Sequence, residues 1–537
     1  MSLIRKLWSK IRAFFFVFRK AEIMRNVVNK EINGDYDNLC SRCYFNERYH
    51  ERALLNGVVD RRSLLRLSIY LGGALGDYIV YLRFVDEISS ICECEVDLFL
   101  DRIEFAQFVY GARENITIIH DAENHLFLDS CREYDLALHL DHGVTLRHAN
   151  LGGIRQKAPA FYTTACRIVE YTKANQINIE RQNERESVIL RKAKFLGENK
   201  WSKLSCGGAI DMSEKYSNIV LDPEFYTVLK RYELEGLKYI TVNFGADKNM
   251  GGTAQTKVLP AKTLEAFIAL FKKSHPEYLV VQTGVKNSFP LKGVDRCAFE
   301  CRLPETAILL KYSTVHVDSE GGLVHLASQM STPCVVSFGP TPVYYYGYER
   351  NENIVSAACS DCMSVTGQWS KVCPRGMQVP VCMQAIEPGI ILKHVEARLG
   401  RKMNSAHELQ IVSVKDAIRI IKASQKTLGV CFIGPLNNEI VQSIHKLKQD
   451  GHGVVVYIPT ELSPEIISYR TDLKKHGVTV EFGTPLSIAK DDASFDVVCC
   501  SEGSVPKNLT EYAVAECYRL LIAEGRVVWY TMEDVSV

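Results

Sequence analysis

The chain of 537 residues has almost no net charge and no long apolar run. Its 64 Lys and Arg against 63 Asp and Glu leave a formal charge of +1, so charge gives no reason to expect nucleic acid as a partner. No apolar run is long enough to span a bilayer and no secretory cleavage site is found. These absences predict a soluble, cytoplasmic protein, and the length predicts two to four domains.

Cysteine, by contrast, is plentiful, with 18 residues. Most lie singly in apolar runs, as reduced core cysteines do, which favours a reducing compartment where clustered cysteines more often bind metal than form disulfides. One segment stands out because it begins with a C-x-x-C pair, and it contains Cys359, Cys362, Cys373 and Cys382. The spacing predicts a tetrathiolate site for zinc or iron, the alternative being four unrelated core cysteines. Cys40 and Cys43 are left unassigned.

The first 62 residues form an accessory segment that begins with a basic and aromatic stretch. Residues 3–20 read LIRKLWSKIRAFFFVFRK, a composition typical of a basic amphipathic helix on an anionic membrane surface. A helix docked on the protein itself or on a neighbouring subunit explains the same pattern. Peripheral contact with the inner face of a membrane and internal docking are therefore both open.

Strand-like and helix-like segments alternate from residue 64 onward. Buried strands separated by helices predict doubly wound, mainly parallel sheets. The pattern predicts an α/β protein with three Rossmann-like units, over residues 63–235, 236–402 and 424–537. Ligands of such units lie beyond the carboxyl ends of the strands.

The first unit opens with a glycine-rich turn, GGALGD, over residues 72–77. A strand, a glycine turn and a helix start usually present backbone N–H groups to an anion, which the carboxylate of Asp77 would repel. Asp77 is therefore either a helix-start residue alone or a group that serves a second reactant.

The second unit carries two candidate loops for a diphosphate. After the strand-like stretch at residues 237–245, glycines and small residues including Thr253 lead to Lys257. Together with backbone amides they suit a diphosphate, although an ordinary loop with a surface lysine fits as well. Farther on, VDSEGGLVHLASQM places Asp318 at a strand end, followed by Ser319, Gly321 and Gly322 at a helix start. Such a helix start favours a diphosphate leaving group, and Asp318 suits sugar hydroxyls. His325 either donates to a phosphate or packs internally.

The order of these motifs resembles glycosyltransferase family 9, the bacterial ADP-heptose heptosyltransferases of GT-B fold. GGALGD, KVLP (257–260), VDSEGGLVHLA, FGPT (338–341) and a cysteine-rich segment follow one another over residues 64–400. The resemblance implies two Rossmann-like domains facing a cleft and an inverting, metal-independent transfer from ADP-heptose. By position Asp77 corresponds to the catalytic base, Lys257 to the phosphate-binding lysine and Asp318 to a donor-sugar contact. The chain departs from the family at KVLP, where K-x-W-P is usual, and at the inserted Glu320 and Gly321.

The four-cysteine segment resembles the branch of this family that glycosylates autotransporter adhesins. That branch binds iron at such a segment, forms ring-like oligomers and modifies protein serines. The resemblance thus implies a structural iron, a homo-oligomer and a protein acceptor, with the lipopolysaccharide core as the alternative acceptor. A non-catalytic scaffold with a metal-tied interaction surface is the alternative of another class.

The tail, residues 424–537, resembles the start of a class I methyltransferase. LGVCFIG (428–434) corresponds to a first strand and Glu461 to an acid near a ribose, with FDVVCCSEG (495–503) as a later strand. The first turn lacks the G-x-G that lets a backbone approach the cofactor, and the pattern ends near the fifth strand. We expect a degenerate domain used for assembly or docking, the alternative being a working methyltransferase.

Overall fold

A computed structural model describes most of the chain beyond the accessory segment, namely residues 64–177, 182–245, 256–399, 410–424, 426–458, 464–486, 488–490, 493–501 and 510–531. The predicted N-terminal helix, Cys40, Cys43, Thr253 and Glu461 lie outside the described residues. Within them, no helix combines the length and the apolar character needed to cross a membrane.

The first sheet has five strands, in the order β3-β2-β1-β4-β5. They are β1 (Leu65–Leu71), β2 (Cys94–Leu100), β3 (Ile116–His120), β4 (Leu136–Leu140) and β5 (Val144–Ala149), and all are parallel except β5, which pairs antiparallel with β4. The helices of this part are α1 (Leu75–Ser89), α2 (Ile103–Tyr110), α3 (His125–Ser130), α4 (Leu151–Lys157), α5 (Pro159–Ala174) and α6 (Gln182–Leu196). The strand order reverses between β1 and β4, so a crevice opens there beyond their carboxyl ends.

The second sheet is fully parallel, in the order β11-β10-β9-β6-β7-β8. Its strands are β6 (Tyr239–Asn243), β7 (Leu279–Thr283), β8 (Arg296–Ala298), β9 (His316–Ser319), β10 (Cys334–Phe338) and β11 (Glu352–Val355). The accompanying helices are α7 (Thr227–Arg231), α8 (Ala261–Ser274), α9 (Leu303–Lys311), α10 (Gly322–Gln329), α11 (Val343–Tyr346), α12 (Val381–Gln384) and α13 (Pro388–Leu399). Here the order reverses between β9 and β6.

The third sheet is also parallel, with six strands in the order β12-β17-β16-β13-β14-β15. These are β12 (Gln410–Ser413), β13 (Gly429–Ile433), β14 (Gly453–Ile458), β15 (Thr479–Phe482), β16 (Phe495–Ser501) and β17 (Leu521–Thr531). Its helices are α14 (Val414–Lys422), α15 (Asn438–Gln449), α16 (Pro464–Lys475) and α17 (Thr510–Leu520). The sequence pattern placed the start of this unit at residue 424, but the edge strand β12 lies before that residue.

The two faces of the third sheet have different surroundings. Val430 and Phe432 belong to a core that contains residues of α14 and α15, whereas Cys431, Ile433 and Trp529 belong to the large core that also contains the first sheet. The predicted α/β class with two Rossmann-like units and a third one is confirmed. The third unit is not a separate body, because one face of its sheet is buried against the other two.

Candidate active site

Asp77 lies beyond the carboxyl end of β1, at the reversal point of the first sheet. Gly73 turns the chain there with φ of +101°, a conformation that favours glycine. Helix α1 then begins at Leu75, and the Ala74 N–H donates to Asp77 Oδ2 at 2.8 Å. The carboxylate therefore does act as a helix-start group, but this bond uses only one of its two oxygens.

The second oxygen of Asp77 accepts a hydrogen bond from Lys200 Nζ. The side chain of Lys200 is 7% exposed and that of Asp77 is 22% exposed. Burial by itself raises the pKa of Asp77, but the charge and hydrogen bond of Lys200, with the Ala74 N–H, outweigh it and hold the pKa below its usual value. Asp77 is thus a carboxylate at neutral pH. Sequence reasoning missed Lys200, which follows α6 in a short polar stretch without a motif.

Asp318 closes β9 and sits at the reversal point of the second sheet. Asn243, at the end of the neighbouring strand β6, donates from Nδ2 to both carboxylate oxygens, at 3.1 and 3.2 Å. The Ser319 N–H donates to Oδ1 at 2.7 Å, and His316 Nε2 lies 3.4 Å from Oδ2. Asp318 is 4% exposed. This network fixes the carboxylate between the two strand ends, and Asn243 is a member that the motifs did not indicate.

Lys257 forms an ion pair with Glu320, with Nζ 2.5 Å from Oε2. Both side chains are largely buried. Burial raises the pKa of Glu320, but Lys257 and then His325 counteract it, and the pKa lies below its ordinary value. Glu320 entered the sequence analysis only as an inserted residue. The structure makes it the partner of the predicted phosphate-binding lysine.

His325 is internal, in line with the structural reading of a lone helical histidine. Its Nδ1 lies 2.9 Å from the Tyr348 hydroxyl, and its ring centroid lies 5.9 Å from that of Trp201. Burial first, and then the charge of Lys200, lower the pKa of His325 to about 4, so the imidazole is neutral at neutral pH.

Helices α1 and α10 meet through glycines, which brings the first two units together at the site. A Cβ on Gly76 would lie 2.5 Å from His325 Cδ2, and one on Gly322 would lie 3.3 Å from Leu75 Cβ. Of the other predicted donor residues, Ser319 ends β9 and Gly321 precedes α10. Two lysine–carboxylate pairs, one from each side, therefore flank the contact between Gly76 and His325.

A second polar group lies beyond β4, next to Asp77 in the first sheet. His142 Nε2 lies 3.0 Å from Glu186 Oε1 on α6. Nearby, burial lowers the pKa of Lys203 to about 7, an effect that Asp141 only partly offsets. Within the described part of the chain the Lys203 amine has no hydrogen-bond partner. These groups suit the polar part of an acceptor.

The four-cysteine segment lies against the carboxyl end of β10. The Asp361 N–H donates to the Gly339 carbonyl at 3.0 Å, and the Ser364 hydroxyl donates to Glu186 Oε2 at 2.7 Å, which joins the segment to the first unit. The pKa of the Cys362 thiol is raised to about 11, first by burial and then by the other three predicted ligands, Cys382, Cys359 and Cys373.

Four thiols are a fitting donor set for iron or zinc. They do not form a closed ligand cluster, however. Among the residues that the structure describes, the one group of three or more His, Cys, Asp or Glu with ligand atoms within 4.8 Å of one another is elsewhere, at His445, Asp472 and His476.

Comparison with known proteins gives structural likeness only. No family profile matches the sequence and no curated protein matches it. Similar solved structures include ADP-heptose heptosyltransferase II of E. coli, with 12% identity, a TM-score of 0.39, and coverage of 62% of this chain and 98% of that one. A family 9 glycosyltransferase of Veillonella parvula has 14% identity and a TM-score of 0.39, with coverage of 62% of this chain and 97% of that one. The iron-containing dodecameric glycosyltransferase TibC of enterotoxigenic E. coli has 14% identity and a TM-score of 0.41, with coverage of 63% of this chain and 79% of that one. Values this low identify neither activity nor substrate.

Proposed function

We propose that the chain is an inverting glycosyltransferase that moves a heptose, or a similar sugar, from ADP-heptose to an acceptor hydroxyl. The observation that carries this proposal is the placement of Asp77, a carboxylate at the reversal point of the first sheet that accepts hydrogen bonds from the Ala74 N–H and from Lys200. Lys257 and the start of α10 belong to the facing unit. A base on one side and an anion-binding lysine on the other are what a transfer from a nucleotide sugar requires.

In the proposed reaction Asp77 accepts the proton of the acceptor hydroxyl. The hydroxyl oxygen attacks the anomeric carbon, a new carbon–oxygen bond forms, and the bond to the diphosphate breaks on the opposite face, so the configuration inverts. The leaving ADP keeps the electron pair of that bond. Lys257, Thr253 and the backbone around Ser319, Gly321 and Gly322 stabilise the negative charge that grows on the diphosphate, and no metal takes part.

Glu320 gives this donor site a specific property. Its carboxylate already lies 2.5 Å from the Lys257 ammonium, so a diphosphate reaches the lysine only by sharing it with Glu320 or replacing it. Asp318, held by Asn243, has the fixed orientation that a contact to sugar hydroxyls needs.

Replacement of Asp77 by Asn tests the base. We expect Asp77→Asn to bind ADP-heptose nearly as the wild type does in calorimetry, while transfer falls by two orders of magnitude or more, within the usual effect of general-base catalysis, ~10²–10⁴-fold. A melting curve checks that the variant is folded. Transfer at the wild-type rate would refute the assignment, and a wild-type protein that neither hydrolyses nor transfers ADP-heptose would favour the scaffold alternative.

For the acceptor we propose a protein serine, as in an autotransporter adhesin, with the lipopolysaccharide core as the alternative. The proposal is supported by the four-cysteine segment and its resemblance to the adhesin-modifying branch. Mass spectrometry of an adhesin co-expressed with the protein is expected to show added heptose on serine. Unmodified adhesin together with extended core oligosaccharide would select the alternative.

We also propose that Cys359, Cys362, Cys373 and Cys382 hold a structural iron, with zinc as the alternative. The support is the donor set and the position of the segment, which contacts both the turn after β10 and α6. Such a metal would order a long loop at the edge of the cleft and would take no part in transfer. Elemental analysis of the purified protein should find metal that Cys373→Ser loses, whereas Cys297→Ser, which changes an exposed cysteine elsewhere, should keep it.

We propose that the third unit is a degenerate methyltransferase-like domain that stabilises the first two units by packing against them. Its support is a set of bonds to both neighbours. The Ala489 N–H donates to Asn218 Oδ1 at 2.7 Å, and Lys311 on α9 pairs with Glu516 on α17 at 3.0 Å, each 4% exposed. We expect no binding of S-adenosylmethionine by the full chain in calorimetry. Binding of S-adenosylmethionine would favour the alternative, a working methyltransferase.

Finally, we propose a cytoplasmic homo-oligomer with peripheral contact to the inner membrane through the basic residues 3–20. The support for membrane contact is composition alone, and the support for assembly is the resemblance of the four-cysteine segment. Light scattering of the purified protein measures the subunit number. Sedimentation with anionic vesicles, compared with neutral ones, tests the membrane contact, because the basic segment should require anionic lipid.

A further inference from the structure

Two helices of the third unit bring two histidines and an aspartate together, and none of these residues belongs to the proposed transferase site. His445 lies on α15 and Asp472 lies on α16, and His445 Nε2 is 2.6 Å from Asp472 Oδ2. His476 follows Asp472 by one helical turn, and the two histidine ring centroids are 4.4 Å apart. His476 directly follows α16 and its N–H donates to the Asp472 carbonyl at 3.3 Å, so the end of α16 brings Asp472 and His476 together beside His445.

The three side chains meet the requirements of a transition-metal site. Each offers one ligand atom, and these atoms all lie within 4.8 Å of one another. His476 Nδ1 lies 2.8 Å from the carbonyl oxygen of Asp472, and a donated bond of this kind fixes the tautomer and leaves Nε2 with the lone pair. An imidazole held in this way is the usual form of a histidine ligand.

We propose that His445, Asp472 and His476 bind a divalent ion of the zinc class. Two imidazole nitrogens and one carboxylate suit zinc or cobalt, and a water completes a four-coordinate shell. The ion would link α15 to the end of α16. This site is separate from the four-cysteine segment, and the proposal does not depend on the transferase function.

The surroundings determine what kind of site this is. The side chains of Asp472 and His476 are 47% and 57% exposed, and that of His445 is 21% exposed. The Lys448 side chain is close by, since its Cε would lie 3.7 Å from a Cβ on Gly477, the residue after His476. One carboxylate, open access and a nearby lysine indicate an exchangeable ion rather than a permanently bound one.

A simpler interpretation is that His445 and Asp472 form only a hydrogen bond between two helices. The two interpretations differ at His476, whose ring packs against that of His445 but which takes no part in the hydrogen bond between His445 and Asp472. His476→Gln should therefore leave an interhelical pin intact but remove a metal ligand.

The experiment uses the full-length protein, stripped of metal and then titrated with Co²⁺ and Zn²⁺. Cobalt at the cysteines gives a sulfur-to-metal charge-transfer band, and cobalt at His and Asp ligands does not, so the two sites are counted separately. We expect the wild type to bind one equivalent outside the cysteine signal and to melt at a higher temperature with zinc. His476→Gln and His445→Gln should lose that equivalent and the zinc-dependent shift, while His125→Gln, which changes an exposed histidine elsewhere, should retain both. Equal stoichiometry in wild type and His476→Gln would overturn the proposal, whatever happens to stability without metal.

Discussion

Replacement of Lys200 by Met examines the electrostatic design of the proposed active site most directly. The change removes the cation that pairs with Asp77. It retains a side chain of similar length that can pack against the Tyr346 ring, whose centroid lies 5.0 Å from Lys200 Nζ in the wild type. Asp77 keeps its hydrogen bond from the Ala74 N–H. The main loss is therefore the buried ion pair with Asp77, while His325 and Glu320 also lose a nearby positive charge.

The expected loss of stability follows from the burial of the two groups. Removing one partner of a buried pair costs about 3–5 kcal/mol, because the other charge is left uncompensated. Since the Asp77 side chain remains 22% exposed and water reaches part of it, we expect the lower end, about 3 kcal/mol. Lys200→Arg, which keeps the charge, should lose much less. Lys215→Met removes a lysine whose partner Glu349 is 75% exposed, and such a pair contributes only about 0–1 kcal/mol.

The pH dependence of activity gives a second, independent readout. Without Lys200, burial dominates and the pKa of Asp77 rises, at about 1.4 kcal/mol per unit. The wild type should show no acid limb from Asp77 in its working range, whereas in Lys200→Met kcat/KM should fall as the pH is lowered and recover as it is raised. The stability deficit should change in the opposite direction, shrinking at low pH as the uncompensated carboxylate is protonated.

Urea unfolding and a pH profile of ADP-heptose turnover measure these effects. A variant that unfolds at the wild-type urea concentration and keeps the wild-type pH profile would refute the coupling of Lys200 to Asp77. A variant that loses stability but keeps the pH profile would leave Lys200 as a packing residue and would remove its proposed influence on the base.

Two further predictions concern the contacts between units. Burial raises the pKa of Glu516, but Arg519 and Lys311 outweigh this effect and lower the pKa to about 2. The ionised carboxylate therefore stabilises the folded protein above the unfolded pKa. This stabilisation of about 3 kcal/mol is lost as the pH falls towards 2. Glu516→Gln should therefore lose less stability than the wild type between about pH 5 and about pH 2 in urea titrations, and equal losses would contradict this. Gly76→Ala places a Cβ 2.5 Å from His325 Cδ2 and should destabilise the protein by about 1–3 kcal/mol through overpacking while impairing transfer. The control Gly389→Ala, with no atom within 4 Å of the new Cβ, should be near neutral. Equal melting temperatures of the two variants would count against the tight contact.

Much of the fold is predictable because its signals are local. Buried strands such as β1 and β13 are short apolar runs between turns, and their alternation with helices predicts parallel sheets. The position of Asp77 is local too, since a glycine turn and a helix start occupy a few consecutive residues. The antiparallel edge strand β5 was not predicted, because its side chains are partly solvated and carry a weak pattern. The strand β12 was not predicted either, because it is four residues long.

The site was predictable only in part. The motifs identified Asp77, Lys257 and Asp318 as candidates, but not Lys200 and Glu320, which form ion pairs with Asp77 and Lys257. Glu320 lies within a recognised motif and was treated as an insertion without a contact. Lys200 is 123 residues from Asp77 in the chain, and a lysine in a polar stretch has no sequence feature that distinguishes it from a surface residue.

By itself, then, the sequence determined the three α/β units, the order of their glycine turns and the residue types available at the ends of the strands. These properties depend on neighbours within a few positions of the chain. Only the tertiary structure decided that Asp77 pairs with Lys200 and Lys257 with Glu320, that Gly76 contacts the ring of His325, and that the third sheet is buried against the first two units. The physical reason is that ion pairing and packing depend on distance in space, which the path of the intervening chain sets.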